Sequence, residues 1–521
     1  MKPTVILVNP KMCSPRSVRL PLSLLALGAV LEDRFDFEIV DGNIDPHAIN
    51  TVLDLVDSRS EIAAVGITVM PGQQVAPAIA VSTAIRAAHP SIPIVWGGFS
   101  PTLYPDSAIN APYVDFVVRG QGEHTLLELL QHLPDSGPPS SAAGGNCMTS
   151  VTDDSAISDI RGLTWKRDGE IIHNPDRPLS PPDSFPPFPY RRLRDVETYL
   201  RPSFLGTRTA VHQAAIGCRY RCSFCGVASM FNGHTALQGP DRLALAMETL
   251  QRRYGANAVQ FYDHNFFDDQ ETSIEALRVM ARFGMPWWCY ARTDTLAKFS
   301  SEDWDMVRRS GLRMAYLGAE AASDNLLKSM KKGSRVEHTL EVARRSREYG
   351  VIPEFSFILG GPEDPEGEIE KTFRFIKRLK TINPECEIIL YFYSPTPQRD
   401  RSTERAEATR SRIPILRNYG PDGPPLPTTP EEWTQQRWID YICHQDAPWL
   451  TPRIRRRVQG FAQVLSCRFP TVQDHSTPSW AKSALRGLAL WRYAGERWDN
   501  PWELDLARRA IPLREPQNEG L

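Results

Sequence analysis

The chain has 521 residues, 41% hydrophobic and 23% charged, with 60 Lys+Arg against 62 Asp+Glu. That length exceeds one ordinary domain, and the composition is that of a globular protein. A net charge of −2 supplies no global basic footprint for nucleic acid and no case for membrane electrostatics, and nine cysteines are too few and too scattered for a disulfide scaffold.

The opening TVILVNP (4–10) reads as a buried strand running into a turn. The apolar run LPLSLLALGAVL (20–31), preceded by Lys2, Lys11, Arg16 and Arg19, imitates a signal peptide. It ends in Glu32-Asp33-Arg34 with no small-residue cleavage pattern and is too short to span a bilayer, so a buried first helix is expected. FEIVD (37–41), AAVGITV (63–69), IPIVWGG (92–98) and FVVRG (116–120) read as further strands. Helical stretches at 46–59, 75–89 and 124–133 separate or follow them. The alternation predicts an α/β domain over 1–135: a doubly wound, Rossmann-like parallel sheet. Ligands of such sheets sit at the carboxyl ends of the strands, here Asn9-Pro10, Asp41-Gly42, Thr68-Val69-Met70 and Gly97-Gly98.

Residues 136–204 begin as a Pro-, Ser- and Gly-rich linker, with a hairpin expected over 162–174 that turns at Arg167-Asp168-Gly169. Over 205–400 the alternation resumes, with strands at 209–217, 258–264, 287–292, 314–320, 353–360 and 387–394. Six strand–helix units make a partial (β/α)6 TIM-type barrel, two short of closure. Residues 401–521 are mainly helical in pattern and hold seven of the twelve tryptophans.

GCRYRCSFCGV (217–227) places Cys218, Cys222 and Cys225 at a CxxxCxxC spacing. Thiolates in this pattern serve zinc, an iron–sulfur cluster or a redox thiol site. Zinc needs a fourth ligand, for which His212 and His234 stand nearby, yet no second tight pair of ligands exists. A redox pair of Cys222 and Cys225 leaves Cys218 without a role. A four-iron cluster with one iron left open to substrate fits better, and the triad follows the first barrel strand, at the end where barrel active sites lie.

With the aromatic Phe224 before the third cysteine, this segment resembles the radical S-adenosylmethionine (SAM) superfamily over about 205–398. The resemblance implies a [4Fe-4S] cluster on the three cysteines, SAM chelated at the open iron, and its reductive cleavage to methionine and a 5′-deoxyadenosyl radical. It also implies an electron donor such as flavodoxin or ferredoxin. By position it places SAM contacts at Phe224, at Asp263 after the second strand, at Arg292 after the third, at Glu320 after the fourth, and at Gly360, Gly361 and Pro362 after the fifth.

No GxGxxG follows the first strand, so a nicotinamide or flavin site is poorly supported. WGGFSP (96–101), VVRGQGE (117–123) and the opening VNP…LPLSLLALGAVLE resemble the cobalamin-binding domain fused before the barrel in cobalamin-dependent radical SAM enzymes. The DxHxxG motif of many cobalamin domains is missing, which implies cobalt bound without a histidine from below. The residues implied around the corrin are Asn9, Pro10, Thr68, Val69, Met70, Gly97, Gly98, Arg119, Gly120 and Glu123, with an Arg119–Glu123 ion pair as the structural alternative. Together the two resemblances imply methyl transfer to an unactivated carbon or phosphorus of a small molecule. Ring formation or rearrangement, as in the anaerobic magnesium-protoporphyrin cyclase, is the second reading, and a non-catalytic sensor the third. A cytoplasmic protein with no nucleic-acid partner and no membrane insertion is expected. Trp287, Trp288, Tyr290, Trp433, Trp438 and Trp449 are candidates to line the reaction cavity, or else core.

Overall fold

The structure is a computed structural model that describes residues 2–15, 17–133, 154–361, 364–394, 426–443, 445, 450–474, 476–511 and 513. Pro362 and Trp449 therefore lie outside the described residues. The chain forms two compact units. The first comprises Met1–Arg201, Gly226–Gln238 and Pro425–Cys443; the second comprises Pro202–Cys225, Gly239–Pro424 and His444–Leu521.

The first unit is built on β1 (Thr4–Asn9), β2 (Asp36–Asp41), β3 (Ile62–Thr68), β4 (Ile94–Gly97), β5 (Phe116–Val118), β6 (Leu163–Arg167) and β7 (Glu170–His173). Among the described residues they lie in the order β2-β1-β3-β4-β5-β6-β7. The first five pair in parallel, and β5–β6 and β6–β7 pair antiparallel. The order 2-1-3-4-5 reverses direction between β1 and β3, so a crevice opens beyond the carboxyl ends of those two strands. Continuous apolar runs such as Val5-Ile6-Leu7-Val8, all fully buried, are what a sheet covered on both faces requires. The signal-like segment is the helix Leu22–Leu31, whose Leu24 and Leu31 pack with Val5, Leu7 and Phe37 in the core.

The hairpin expected within the linker is paired to the sheet. Asp168 and Gly169, at φ 51° and 85°, make a two-residue turn of left-handed residues, whose backbone suits the right-handed twist of the flanking strands. Its Trp165 side chain is buried in the core, and the indole Nε1 donates to Asn174 Oδ1 at 3.1 Å. Antiparallel pairing of β6 thus covers the otherwise open edge at β5, an outcome that linker composition alone hides.

Among the described residues the main sheet of the second unit has six parallel strands in sequence order: Thr209–His212, Ala258–Phe261, Trp287–Arg292, Leu312–Glu320, Ile352–Leu359 and Glu387–Phe392. The first and sixth are the edges, so the barrel is open, as six units demand. Helices Gln270–Phe283, Ser301–Arg309, Val336–Tyr349 and Pro365–Ile382 return the chain between strands. Helix Pro452–Arg468 is joined to the last of these by Phe461, stacked on Phe373 with ring centroids 3.8 Å apart. Buried Glu387, at the start of the sixth strand, accepts from Thr471 Oγ1 and Val472 N, both at 2.8 Å.

Trp287 and Trp288 begin the third strand, whereas the cysteine loop lies at the opposite, carboxyl end of the barrel strands. Trp287 is core, donating to Ser310 O at 2.9 Å among Phe261 and Phe266. Trp433 and Trp438 are core of the first unit, Trp433 donating to Ser107 Oγ at 3.0 Å. Trp288 and Tyr290 occupy alternate positions of the other face, ring to ring at 4.5 Å, with Tyr290 5.1 Å from Tyr316.

Candidate active site

The cysteine loop leaves Gly217, at φ 80°, a conformation that a side chain would strain. Its amide donates to His264 Nδ1 at 3.1 Å, and burial lowers the His264 pKa to about 4, so the ring is neutral at pH 7. Cys222 is buried while Cys218 and Cys225 are half-buried, and none of the three is in a disulfide. Cys225 N donates to Cys222 O at 3.2 Å and Ser223 N to Met330 O at 2.9 Å, so the loop is closed on itself and tied to the end of the short helix Asp324–Ser329.

Charged side chains surround these sulfurs. Arg292 Nη1 lies 3.5 Å from Cys222 Sγ in donor geometry. Its Nε and Nη2 grip Asp294 at 2.9 and 3.2 Å, Nη2 also donates to Lys332 O, and the guanidinium lies 3.4 Å from the Tyr220 ring centroid. Asp268, buried, accepts from Arg219 Nε and Asn265 Nδ2, both at 2.9 Å, and one of its oxygens is 4.0 Å from Cys218 Sγ. Burial pushes the Cys218 thiol up to about 12. A metal at the sulfur reverses that by holding the thiolate.

Among the described residues no three His, Cys, Asp or Glu side chains converge as ligands of one ion. His212, which packs edge-on to Phe261 at 6.0 Å, and His234 therefore do not complete a zinc site. A four-iron cluster needs no such convergence, because each thiolate holds its own iron. Three cysteines outside any disulfide on one eight-residue loop, one receiving a guanidinium, fit that group.

Phe224 lies 5.7 Å below the Lys332 ammonium, which pairs with Glu320 at 2.5 Å in a buried contact. Glu320 sits at φ 61°, left-handed for a non-glycine residue, so the pair is held against backbone strain. Asp263 is wholly buried, and its Oδ1 accepts from Ala214 N and Ala215 N at 2.6 and 2.7 Å. Among the described residues its Oδ2 has no partner, and burial pushes its pKa up to about 7. Gly360 and Gly361 follow the fifth strand; a Cβ on Gly360 would meet Leu450, and one on Gly361 would meet nothing within 4 Å.

At the β1/β3 crevice the corrin candidates divide. Gln74, buried, donates to Asn9 Oδ1 at 2.8 Å and Pro10 O at 2.6 Å and accepts from Met70 N at 2.7 Å, so it welds both strand ends together. Asn9 Nδ2 donates to Asp41 Oδ1, which also takes the Asn43 amide and side chain, and Tyr199 bonds the same carboxylate. That turn is closed on itself, and His47 lies beyond it at the N-terminus of helix Ala48–Ser58. Val69 N donates to Gly97 O at 2.8 Å, and a Cβ on Gly98 (φ 95°) would strike Thr68 Oγ1 at 2.9 Å. Gly120 N donates to Thr102 Oγ1 and has open space where a Cβ would stand. Bare backbone at Gly98 and Gly120 and the lack of a histidine in the Asp41 turn fit a corrin held without that ligand. Arg119 instead braces the hairpin, through Asp176 at 3.3 Å, Leu163 O and Asn174 O. Glu123 opens helix Glu123–His132, its pKa raised by burial.

No local motif marks Asp268, Lys332 or Gln74. They lie in connecting segments whose pairings depend on the fold, and no spacing announces them.

An open six-strand barrel with three thiols in its first loop, in one chain with a 2-1-3-4-5 parallel domain, is the architecture that the resemblance to radical SAM enzymes with a corrin-type domain implies. The radical SAM superfamily model matches residues 214–376 and the B12 binding domain model residues 15–130. An uncharacterized methyltransferase of Pyrococcus horikoshii, PH0819, is 24% identical over 362 residues, 69% of this chain and 73% of its own. The anaerobic magnesium-protoporphyrin IX monomethyl ester cyclase of Synechocystis is 23% identical over 397 residues, 74% and 72% of the two chains. The fold matches the radical SAM methyltransferase TsrM of Kitasatospora setae, solved with cobalamin and a [4Fe-4S] cluster bound, with a TM-score of 0.63 and 19% identity over 98% of this chain and all of that one. The chain thus carries a B12 binding domain ahead of a radical SAM domain, a combination whose cofactors are a [4Fe-4S] cluster, SAM and cobalamin. No helix among the described residues is long and apolar enough to cross a membrane.

Proposed function

We propose that the chain methylates an unactivated carbon, or a phosphorus, of a small-molecule metabolite. The observation that carries this is the presence in one chain of a thiol loop fit for a four-iron cluster and a strand-end crevice fit for a corrin. When bound, the cluster and SAM supply an organic radical and the cobalamin a transferable methyl group. The chain's own residues position and tune. Arg292, donating to the Cys222 sulfur, withdraws negative charge from it, and hydrogen bonds to cluster sulfurs are one determinant of potential. Arg219 and Asp268 fix the loop beside Cys218. Glu320 with Lys332, Phe224 and the bare backbone at Gly360-Gly361 are the proposed SAM contacts; Pro362 belongs to the same proposed set. Asp263 acts one layer below, holding the Ala214-Ala215 turn from which the loop departs. Asn9, Pro10, Met70, Thr68, Val69, Gly97, Gly98 and Gly120 are the proposed corrin edge, with Gln74 behind them. The substrate is a small molecule, and the reductant a low-potential donor of the flavodoxin or ferredoxin kind.

The cyclase relative favours ring formation as the second reading. One anaerobic experiment separates the two: protein reconstituted with iron, sulfide and cobalamin is incubated with methyl-labelled SAM, a strong reductant and cell extract. Label in a small product, with 5′-deoxyadenosine released, is expected. Release of 5′-deoxyadenosine without label transfer would assign cyclisation or rearrangement, and absence of both would assign a sensor. Cys222→Ala should abolish iron loading and both signals; normal iron content in that variant would defeat the cluster assignment.

A further inference from the structure

The helices that end the second unit leave an apolar face uncovered. Ser479–Ala494 buries Ala481, Leu485 and Ala489, so its inward stripe is already complete. A second stripe on the same helix, Trp480, Ala484, Leu488 and Trp491, is exposed, at 71% for Trp480 and 46% for Trp491. On Trp502–Ala510, Leu504 is buried while Trp502 and Leu506 stand 63% and 61% exposed. Single exposed apolar residues are ordinary, but three tryptophans and two leucines in helical register are a surface feature with a purpose.

The charge around them leans positive, with six Lys and Arg against four carboxylates between 479 and 511. Glu496, Asp499 and Glu503 pair with Lys377 at 2.6 Å, Arg457 at 3.0 Å and Arg492 at 2.8 Å, while Asp505 bonds the neutral Gln463 side chain at 2.5 Å and keeps its charge. Arg486, Arg497 and Arg509 are exposed, and the Arg497 guanidinium lies 5.5 Å from the Trp491 ring.

We propose that this face rests on an anionic phospholipid surface. Trp480, Trp491, Trp502 and Leu506 enter the headgroup layer, and Arg486, Arg497 and Arg509 meet lipid phosphates. Trp480 and Trp491 are eleven residues apart, about 16 Å along the helix axis. Basic residues interleave such spread anchors, whereas a protein partner gathers its anchors at one desolvated centre. The helices lie in the interface plane, since neither crosses a bilayer. The inference is independent of whether the reaction is methylation or cyclisation.

The test is co-sedimentation of the full chain with vesicles of phosphatidylcholine alone and of phosphatidylcholine with an equal part of phosphatidylglycerol, read together with tryptophan fluorescence. Binding to the anionic vesicles only, weakened by salt, is expected. A Trp480→Ala/Trp502→Ala/Leu506→Ser variant should lose about tenfold in vesicle affinity, roughly 1.4 kcal/mol, with thermal unfolding and iron loading unchanged. Three results would overturn the proposal: no binding to anionic vesicles, equal binding by the variant, or a wild-type dimer that the variant dissolves, which would assign the face to a second copy of the chain.

Discussion

Replacing Arg292 with Met removes the only bidentate partner seen for the Asp294 carboxylate among the described residues, in a place where the two side chains are 6% and 4% exposed. Breaking a buried pair by deleting one member costs about 3–5 kcal/mol, because the remaining charge is left without compensation. At about 1.4 kcal/mol per factor of ten, the folded-to-unfolded ratio of the barrel falls by a factor on the order of a thousand. Removing both charges is far milder, since an apolar pair of similar volume is often neutral. Arg292→Met/Asp294→Leu should therefore recover at least half of the loss, about 2 kcal/mol. The assay is urea unfolding of cluster-free protein, with hydrogen exchange followed in peptides covering 287–296 so that the barrel's own transition is read. A second readout is the reduction potential after reconstitution, which should move negative once the donor to Cys222 is gone. A single variant that loses less than about 1 kcal/mol, or losses that simply add, would refute the buried-pair reasoning.

Asp263, with a pKa of about 7 against an ordinary 3.8, keeps a proton in the folded chain that the unfolded chain has lost between about pH 4 and 7. Its contribution is fully present below pH 4 and is lost as pH rises through 7, by at most about 4 kcal/mol for three units. Asp263→Asn, which keeps the acceptor for Ala214 and Ala215, should flatten that slope in thermal unfolding scans; an unchanged slope contradicts the assignment. Gln74→Leu strands Pro10 O, Met70 N and Asn9 Oδ1 at about 1–3 kcal/mol each, so cobalamin affinity in an absorbance titration should drop at least about tenfold. Wild-type affinity would show that the two strand ends do not need the amide.

Local sequence carried the strand–helix alternation, because buried parallel strands read as apolar runs and the surface helices as amphipathic ones. It also carried the cysteine loop, since CxxxCxxC brings three thiols together over eight residues whatever the rest of the chain does. The Asp168-Gly169 turn was legible for the same reason: left-handed backbone is encoded by the residues that occupy it. Long-range pairing was not legible. Whether Arg119 faces a ligand or braces β6, whether Trp287 lines a cavity or fills the core, and which cation meets Glu320 depend on contacts between segments far apart in sequence. Lys332 stands twelve residues from Glu320, and Arg292 seventy from Cys222. Local sequence specifies backbone propensity, turn chemistry and ligand-bearing loops over a few residues. Which buried charge finds which partner is fixed only when the sheet register and the loops close around them, because desolvation makes each such charge costly until that partner arrives.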